Sequence, residues 1–242
     1  MILQVRGLHV SFGSRRVLRG LDLEVLRGEL LVLFGGSGSG KSTFLRSIIG
    51  LDPISQGSIL FKNQELTELS IADWKFFRQK IAYAFQNGAL FDSLSVLENL
   101  EYPLRELTAQ SADLRRESAA QMLMKIGLPG IESMFPAELS GGMQKRVGMA
   151  RSLMLDPEII LYDEPTAGLD PANAKKIIEM MRDLRESGKT AILVTHDVHY
   201  ALAVADRVAY IESGKIIAVQ SRVEIDQNPH SSIRAYMQGD IA

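Results

Sequence analysis

A run of small residues with one positive charge, GGSGSGKS at residues 35–42, has the composition of a loop that binds phosphate groups. Its spacing is Gly-x-x-x-x-Gly-Lys-Ser, in which glycines let the backbone curl around an anion and point its N–H groups inward. Lys41 would bring a full charge to terminal phosphates, and Ser42 offers a hydroxyl to Mg²⁺. A Gly/Ser-rich turn without a ligand is the alternative. The pattern favours a nucleotide site formed by Gly35, Gly36, Ser37, Gly38, Ser39, Gly40, Lys41 and Ser42.

The segments on either side of this loop are those that a phosphate site needs. Residues 30–34, LLVLF, are wholly apolar and predict a short strand that is buried on both faces. Residues 43–49 predict a helix with its apolar side chains on one side. A helix that begins at Thr43 would place the partial positive charge of its N-terminus at the loop. Strand, loop and helix together favour nucleotide binding over a simple turn.

Two carboxylates, Asp163 and Glu164, directly follow the apolar residues 159–162, which predict a buried strand. In doubly wound sheets, ligands bind at the carboxyl ends of the strands. Asp163 is therefore placed to hold Mg²⁺, directly or through water, and Glu164 is placed to orient and deprotonate a water molecule. An Asp-Glu pair in a solvated turn is the alternative, and the strand before the pair argues against it.

Two single residues have roles that spacing leaves open. His196 follows another apolar run, residues 190–195, so it should lie at the same edge of the sheet as Asp163 and Glu164. A single histidine is more often structural than catalytic, although a strand end beside a phosphate site makes a catalytic role equally plausible. Phe12 lies in a polar turn upstream of the phosphate loop, where it could stack on a base or pack in the protein. Spacing alone favours packing for Phe12.

Two turns lead into predicted helices through residues that either cap the helix or bind an anion. Ser140 is a good N-cap, and Gly141 and Gly142 would leave backbone N–H groups open to an anion. A plain capped helix is the alternative for this stretch. Asp170 closes the turn AGLD and could simply be the N-cap of the next helix. Because the chain also contains a phosphate loop, a second helix start with glycines supports anion binding over a plain capped helix.

Composition excludes several classes of protein. The chain has 242 residues, of which 46% are hydrophobic and 23% charged, as is ordinary for a globular protein. A formal net charge of −2 weighs against a dedicated nucleic-acid binder. No apolar run approaches the roughly 18 residues of a membrane span, and the first residues lack the pattern of a secretory signal. The absence of cysteine excludes disulfides and thiolate metal sites, and we expect a cytoplasmic location.

Apolar patterning predicts an α/β body with a helical insertion. An early strand pair is predicted within residues 2–25, and a closing hairpin within residues 208–219. Residues 90–137 show helical periodicity and no convincing strand, so they predict the insertion. The tail, residues 229–242, predicts a short final helix. The aromatic residues expected in the core are Trp74, Phe76 and Phe77.

Taken in order, GGSGSGKS, Gln86, LSGGM, IILYDEP, AGLD and THD resemble the motifs of the ATPase subunit of an ABC transporter. The resemblance spans nearly the whole chain, and the joint pattern is very specific. It implies that Asp163 supports Mg²⁺, that Glu164 is the general base and that His196 contacts the γ-phosphate. Gln86 would ligate Mg²⁺, sense the γ-phosphate and contact the permease. The other residues implied to contact ATP, besides the phosphate loop, are Phe12, Thr43, Ser140, Gly141, Gly142 and Asp170.

The same resemblance implies a fold and an assembly. The fold would be α/β, a P-loop NTPase of ABC type with a mainly parallel core sheet, an N-terminal antiparallel β subdomain and an inserted α-helical subdomain. The RecA-like core would cover residues 1–86 and 155–225, the helical subdomain residues 87–154, and a helical tail residues 226–242. Two copies would hold ATP head to tail, with Lys41 and Mg²⁺ neutralising phosphate charge in one copy and the LSGGM segment supplied by the other.

Two residues depart from the usual pattern of this family. Phe12 stands where a tyrosine is commoner, which keeps the face that stacks on adenine and loses only a hydroxyl. Met143 stands where the signature usually has glutamine, and Gln144 follows one place later. The glycines that would face phosphate are intact, so we expect ATPase activity to be retained.

A narrower resemblance comes from QNGALFDSLSVLENLEYPLRE, residues 86–106, from ELSGGMQKR, and from the closing residues NPHSSIRAYMQGDIA. These segments resemble the ATPase of the Mla system, which moves phospholipids between the two membranes of a Gram-negative envelope. That resemblance implies a homodimer at the cytoplasmic side of the inner membrane, an integral membrane permease, a periplasmic lipid-binding ring and a small cytoplasmic accessory protein. Nucleic acid is not an expected partner. Other ABC importers and exporters share much of this pattern and are the alternative.

Proteins of other classes share parts of the motif set. A P-loop kinase would share GGSGSGKS but would not need LSGGM or the Asp163-Glu164 pair. A DNA-repair or chromosome-structure ATPase would carry a long coiled coil between Gln86 and Leu139, where only about fifty residues are available. A translation factor of the superfamily would need two ATPase halves, and a non-catalytic scaffold would not need every catalytic residue type. The motifs therefore favour a transporter subunit that hydrolyses ATP.

Overall fold

The computed structural model describes residues 1–228 and 231–238. The strands are β1 Leu3–Phe12, β2 Arg15–Val25, β3 Leu30–Phe34, β4 Gln56–Phe61, β5 Gln64–Glu65, β6 Ile81–Ala84, β7 Ile159–Asp163, β8 Thr190–Val194, β9 Arg207–Glu212 and β10 Lys215–Ser221. The helices are α1 Lys41–Ile48, α2 Ile71–Lys80, α3 Val96–Leu107, α4 Ala112–Lys125, α5 Gly141–Leu153, α6 Pro171–Glu186, α7 Val198–Val204, α8 Arg222–Gln227 and α9 Ser232–Gln238.

The larger sheet has six strands in the order β10-β9-β3-β8-β7-β6. All neighbouring pairs are parallel except β9 and β10, which form the predicted closing hairpin. Every residue of β3, β7 and β8 is buried, because helices or the second sheet cover both faces. Parallel pairing brings the carboxyl ends of β3, β6, β7 and β8 to one edge. The predicted chemical residues follow these strands, so this edge positions the site.

The smaller sheet is antiparallel, with the strand order β2-β1-β4-β5. Its inner face packs with α1 and one face of the larger sheet in a shared apolar core that includes Val5, Leu21, Phe44 and Leu161. The outer face carries the alternating exposed residues of β2, as expected for a half-buried antiparallel sheet. The predicted combination of a parallel-rich core sheet and an antiparallel β subdomain is confirmed.

Helices α3, α4 and α5 lie between β6 and β7 in the chain and have an apolar core of their own, which includes Val96, Leu100, Leu123 and Val147. The capping serines Ser95, Ser111 and Ser140 begin these three helices. Within the described residues, no helix combines the length and apolar character needed to span a bilayer. The subdomain boundaries given above stay a prediction.

The structure corrects one core prediction and limits another. Phe76 was expected in the core and is 52% exposed, whereas Phe77 is 3% exposed and Trp74 is partly buried. Adjacent positions on the helix α2 point about 100° apart, so Phe76 and Phe77 cannot both face the core. The predicted tail helix is observed as α9, and residues 229–230 and 239–242 of that prediction lie outside the described residues.

Candidate active site

Most of the predicted chemical residues converge on a cleft of about 600 Å³ at the carboxyl edge of the larger sheet. This volume lies within the usual range for small-molecule sites. The phosphate loop forms the floor of the cleft, and residues that follow β6, β7 and β8 line its side. Residues lining it are Phe12, Arg15, Val17, Gly35, Ser37, Gly38, Gly40, Lys41, Ser42, Thr43, Arg46, Gln86, Glu164 and His196.

The phosphate loop needs glycine at its two ends. A Cβ on Gly35 would lie 2.2 Å from the carbonyl oxygen of Ile211, because the loop leaves β3 in contact with β9. Gly40 has φ 109°, and a Cβ there would lie 2.7 Å from Leu18 Cδ2. Any other residue would strain the backbone or push the loop away from the sheet. The hydroxyl of Ser39, which is buried in the loop, has no hydrogen-bond partner among the described residues.

Lys41 points its ammonium group along the inside of the loop. Its Nζ donates to the carbonyl oxygens of Gly35 and Gly36, both at 2.9 Å. An ammonium group has three donors, so one remains for a phosphate oxygen. Burial lowers the pKa of Lys41, and the nearby carboxylates of Glu164 and Asp163 oppose that shift by raising it. The loop, its free donor and the N-terminus of α1 together fit a polyphosphate.

Ser42 and Asp163 form the oxygen-rich side of the cleft. Ser42 Oγ donates to Asp163 Oδ1 at 2.8 Å, and Tyr83 Oη donates to Asp163 Oδ2 at 2.6 Å. Burial and the hydrogen bond to Asp163 raise the pKa of Tyr83, so its phenol stays a donor. Among the described residues no three His, Asp or Glu side chains are grouped so that they could hold a metal ion by themselves. Mg²⁺ is commonly held by one or two protein oxygens together with substrate phosphates, so Ser42 and Asp163 fit this ion.

Glu164 and His196 lie side by side at the mouth of the cleft. His196 Nδ1 is 2.7 Å from Glu164 Oε2, and the histidine side chain is 70% exposed while that of Glu164 is 16% exposed. Glu164 has φ 50°, in the left-handed region that a non-glycine residue seldom adopts. Its backbone N–H donates to the carbonyl oxygen of Val194, which fixes this turn to the end of β8. The strained turn aims a carboxylate into the cleft beside a histidine.

Gln86 and Phe12 both line the cleft. Gln86 is exposed in the turn after β6, and Phe12 ends β1 with 43% of its surface exposed. An exposed aromatic face beside the phosphate loop is available for stacking on a base, and it is not the buried packing residue that spacing favoured.

The predicted residues of the LSGGM segment do not line this cleft. Ser140 caps α5, accepting from Met143 N, and Asp170 caps α6, accepting from Ala172 N and Asn173 N. The two helix starts adjoin, because a Cβ on Gly142 would lie 2.7 Å from Asn173 Cγ. Hydrogen bonds from Asn173 lower the pKa of Asp170. These capping roles are present in the single chain, and Gly141 remains exposed on the same surface.

Several residues of the site were not found from the sequence. Tyr83 was assigned only to a strand, yet its register opposite Leu161 places it two residues from the level of Asp163. Lys145 donates to the carbonyl oxygen of Ala167, and burial lowers its pKa, a shift that the nearby carboxylate of Glu164 opposes. Arg15 and Arg46 also line the cleft. Only the alternation of strand β6 could have pointed to Tyr83.

A phosphate loop, a strand-end carboxylate pair and a parallel sheet are the parts of a P-loop nucleotide-binding protein. A family model described as "ABC transporter" matches residues 18–167, which is more than half of the chain. The chain belongs to the ABC transporter family, and it is an ATPase subunit coupled to transport. A solved dimeric structure of the ATP-binding cassette MJ0796 in a post-hydrolysis state, bound to ADP and Pi, has 33% identity and a TM-score of 0.84, covering 91% of this chain and 99% of that one.

Curated relatives of similar identity differ in what their names say they transport. The probable ribonucleotide transport ATP-binding protein mkl of Mycobacterium leprae is 37% identical, covering 98% of this chain and 69% of the relative. The arginine transport ATP-binding protein ArtM of Bacillus subtilis is 37% identical, covering 95% of each chain. The intermembrane phospholipid transport system ATP-binding protein MlaF of Haemophilus influenzae is 34% identical, covering 99% of this chain and 91% of the relative.

Proposed function

We propose that this chain hydrolyses ATP in the cleft with Glu164 as general base, and that the hydrolysis drives phospholipid transport through a membrane permease. The observation that carries the catalytic part is the position of Glu164, 2.7 Å from His196 and in the same cleft as Lys41. Phosphoryl transfer to water depends on positioning and charge stabilisation, which this arrangement supplies.

The loop side of the cleft binds and neutralises the phosphates. Lys41 donates a hydrogen bond from its remaining N–H to a terminal phosphate oxygen, while free backbone N–H groups of the loop and of the start of α1 bind the other phosphate oxygens. Ser42 and Asp163 would hold Mg²⁺, and Gln86, in its exposed turn, would be a further ligand. When bound, Mg²⁺ supplies positive charge to the β- and γ-phosphates. Phe12 stacks on the adenine ring.

The strand-end side of the cleft activates water. Glu164 accepts a proton from the water that attacks the γ-phosphate, while the bond from the γ-phosphorus to the bridging oxygen breaks and ADP leaves with that oxygen. The hydrogen bond from the backbone of Glu164 to Val194 holds the turn that positions this carboxylate. Nδ1 of His196 contacts Oε2 of the Glu164 carboxylate. The same histidine contacts the γ-phosphate from the exposed side of the cleft. Removing either side chain should therefore affect turnover more than ATP affinity.

A head-to-tail dimer completes the site. Ser140, Gly141, Gly142 and Asp170 do not line the cleft of their own chain, so in this proposal they contact the ATP that is bound by a second copy. The dimeric MJ0796 cassette, bound to ADP and Pi, supports this arrangement. We expect Glu164→Gln with ATP to elute as a dimer in size-exclusion chromatography, and an additional Gly141→Glu change to abolish that dimer. A monomer in both cases would contradict the proposal.

The surface next to Gln86 is the one that we assign to the permease. A groove of about 320 Å³ lies between α3, α5 and the end of β6, and most of the groups that line it are apolar. Two exposed apolar residues on its margin, Leu51 at 47% and Phe85 at 42%, suit a partner helix. Gln86 lies next to this surface and also lines the nucleotide cleft. Movement of the permease would therefore change the contacts that Gln86 makes at the nucleotide.

Phospholipid transport is supported by MlaF, which matches nearly all of this chain, and by the segments around residues 86–106 and the C-terminal tail that resemble the Mla ATPases. The implied partners are an integral permease, a periplasmic lipid-binding ring and a small cytoplasmic accessory protein, with the ATPase peripheral on the cytoplasmic face of the inner membrane. The test is to isolate the native complex from membranes through this chain and to identify the permease and its lipids. A complex without bound phospholipid would contradict this assignment.

Amino-acid transport is the second candidate, because ArtM has the higher identity of 37% and matches 95% of each chain. The same isolated complex separates the two. Amino-acid transport predicts that ATPase activity rises when a binding protein loaded with a cationic amino acid is added. Phospholipid transport predicts no such response, and instead predicts transfer of labelled phospholipid between vesicles.

A further inference from the structure

The C-terminal helix α9 is anchored on the larger sheet close to the phosphate loop. Ile233 is 1% exposed in the same apolar core as Phe34 and Tyr210. Ser231, which is fully buried, donates to Gln220 Oε1 at 2.5 Å and accepts from Arg234 N at 3.1 Å. These contacts fix the start of the helix, so the direction in which its side chains point is determined.

Because the start of α9 is fixed, Tyr236 contacts β3, the strand that leads into the phosphate loop. Its ring centroid is 3.9 Å from that of Tyr210 at 36°, and 5.4 Å from that of Phe34 at 82°. Phe34 and Tyr210 are register partners on β3 and β9, and each is 6% exposed. Tyr236 therefore closes a three-ring cluster whose first member, Phe34, is covalently joined to Gly35.

The hydroxyl of Tyr236 lies over the first turn of the loop. A Cβ on Gly36 would be 3.5 Å from Tyr236 Oη, which is ordinary van der Waals distance. On its other side, Gly35 is held against the carbonyl group of Ile211. The carbonyl oxygens of Gly35 and Gly36 are the two acceptors to which Lys41 Nζ donates. The segment that orients Lys41 is thus bounded by β9 on one side and by Tyr236 on the other.

We propose that Tyr236 is a positioning residue for the phosphate loop, and that docking of α9 sets the affinity of the site for nucleotide phosphates. The inference rests on the proposed role of the loop in binding ATP. A partner that draws α9 off the sheet would release Phe34 and Gly36, which would loosen the acceptors of Lys41 and weaken ATP binding. Binding of such a partner to the C-terminal tail would then change the affinity of the nucleotide site for ATP.

The experiment measures affinity in the full-length purified chain for two fluorescent ligands, trinitrophenyl-ATP and trinitrophenyl-adenosine. Both carry the base and the fluorophore, and only the first has phosphates for the loop to bind. The variants are Tyr236→Phe, Tyr236→Leu and Tyr236→Ala. Val223→Ala on the neighbouring helix α8 is the control, because Val223 is 59% exposed. Lys41→Ala reports separately on whether the loop binds phosphate at all.

We expect Tyr236→Leu and Tyr236→Ala to bind the ATP derivative about threefold to tenfold more weakly, with unchanged affinity for the adenosine derivative. Tyr236→Phe, which keeps the ring cluster, should stay within about twofold of the parent, as should Val223→Ala. If Tyr236→Ala fails to fold, Tyr236→Leu decides the result, because it keeps an apolar side chain against the core but lacks the ring contacts and the contact with Gly36. Parental affinity for the ATP derivative in Tyr236→Leu, or an equal loss for both derivatives, would overturn the inference. If Lys41→Ala also bound like the parent, the proposed function itself would fail.

Discussion

Ser42 Oγ donates to Asp163 Oδ1 at 2.8 Å, although 121 residues separate the two along the chain. The contact joins the phosphate loop after β3 to the carboxylate that ends β7. Strand β8 lies between these two strands, so the loop and the carboxylate meet over its carboxyl end. The pair combines a hydroxyl and a carboxylate, which are ligands that suit Mg²⁺. In the proposed mechanism, charge neutralisation and water activation are organised around this one bridge between distant segments.

Glu164→Gln should reduce ATP turnover about a hundredfold or more while ATP affinity stays near that of the parent, because an amide cannot accept the proton from water. Steady-state phosphate release and equilibrium ATP binding measure the two effects. Glu179→Gln, at an exposed position on α6, is the matched control and should leave both unchanged. Parental turnover in Glu164→Gln would show that Glu164 is not the base.

His196→Ala should lower kcat about tenfold, with little change in KM for ATP, since the exposed ring supports Glu164 and the γ-phosphate rather than the bulk of the nucleotide. The loss should be smaller than that of Glu164→Gln. In the double variant the two losses should not add, because the side chains act as one unit at 2.7 Å. Additive losses would mean that the histidine works independently of the carboxylate.

Lys41→Ala should weaken ATP binding about tenfold to a hundredfold and lower turnover as well, because a charged hydrogen bond to the phosphates is lost. Isothermal titration with ATP gives the affinity. Lys175→Ala, which removes a lysine with a side chain 76% exposed on α6, is the control. An unchanged affinity in Lys41→Ala would contradict the role assigned to this lysine.

Phe12→Ala should weaken ATP binding about fivefold or more, whereas Phe12→Tyr should bind like the parent, because the aromatic face is what stacks on the base. Inorganic triphosphate has no base, so its affinity should be the same in all three proteins. A loss of triphosphate binding in Phe12→Ala would indicate that the ring supports the fold of the loop instead.

Tyr83→Phe should raise the Mg²⁺ concentration for half-maximal turnover about tenfold, because Asp163 Oδ2 loses the donor that orients it. Titration of ATPase activity with Mg²⁺ at saturating ATP measures this shift. Tyr102→Phe, on α3, is the matched removal of a tyrosine hydroxyl elsewhere. Equal Mg²⁺ requirements in the parent and Tyr83→Phe would show that Tyr83 does not orient Asp163 for Mg²⁺ binding.

The same tyrosine predicts a pH dependence of stability. Burial and Asp163 raise the pKa of Tyr83 in the folded chain, so its hydrogen bond contributes fully below the ordinary tyrosine pKa of about 10. Above that pH, ionisation of the phenol in the unfolded chain removes the contribution. The difference in unfolding free energy between the parent and Tyr83→Phe should therefore shrink as pH rises above about 10, as denaturant titrations at several pH values would show.

By itself the sequence determined the features that depend on near neighbours. The glycine spacing of residues 35–42, the apolar runs before Gly35, Asp163 and Thr195, and the caps at Ser140 and Asp170 each involve only a few adjacent residues. For such features, backbone freedom, burial pattern and capping are readable from residue type. The order of the motifs then indicated the family, which the matching family model confirms, and the fold, which the structure confirms.

Only the tertiary structure decided which distant side chains reach those features. Tyr83 meets Asp163 across 80 residues, and Tyr236 meets Gly36 and Phe34 from the other end of the chain. Phe76 lies outside the core because α2 turns Phe77 inward instead. Each outcome depends on strand order, register and helix rotation, which are set by the packing of the whole chain and cannot be determined from neighbouring residues alone.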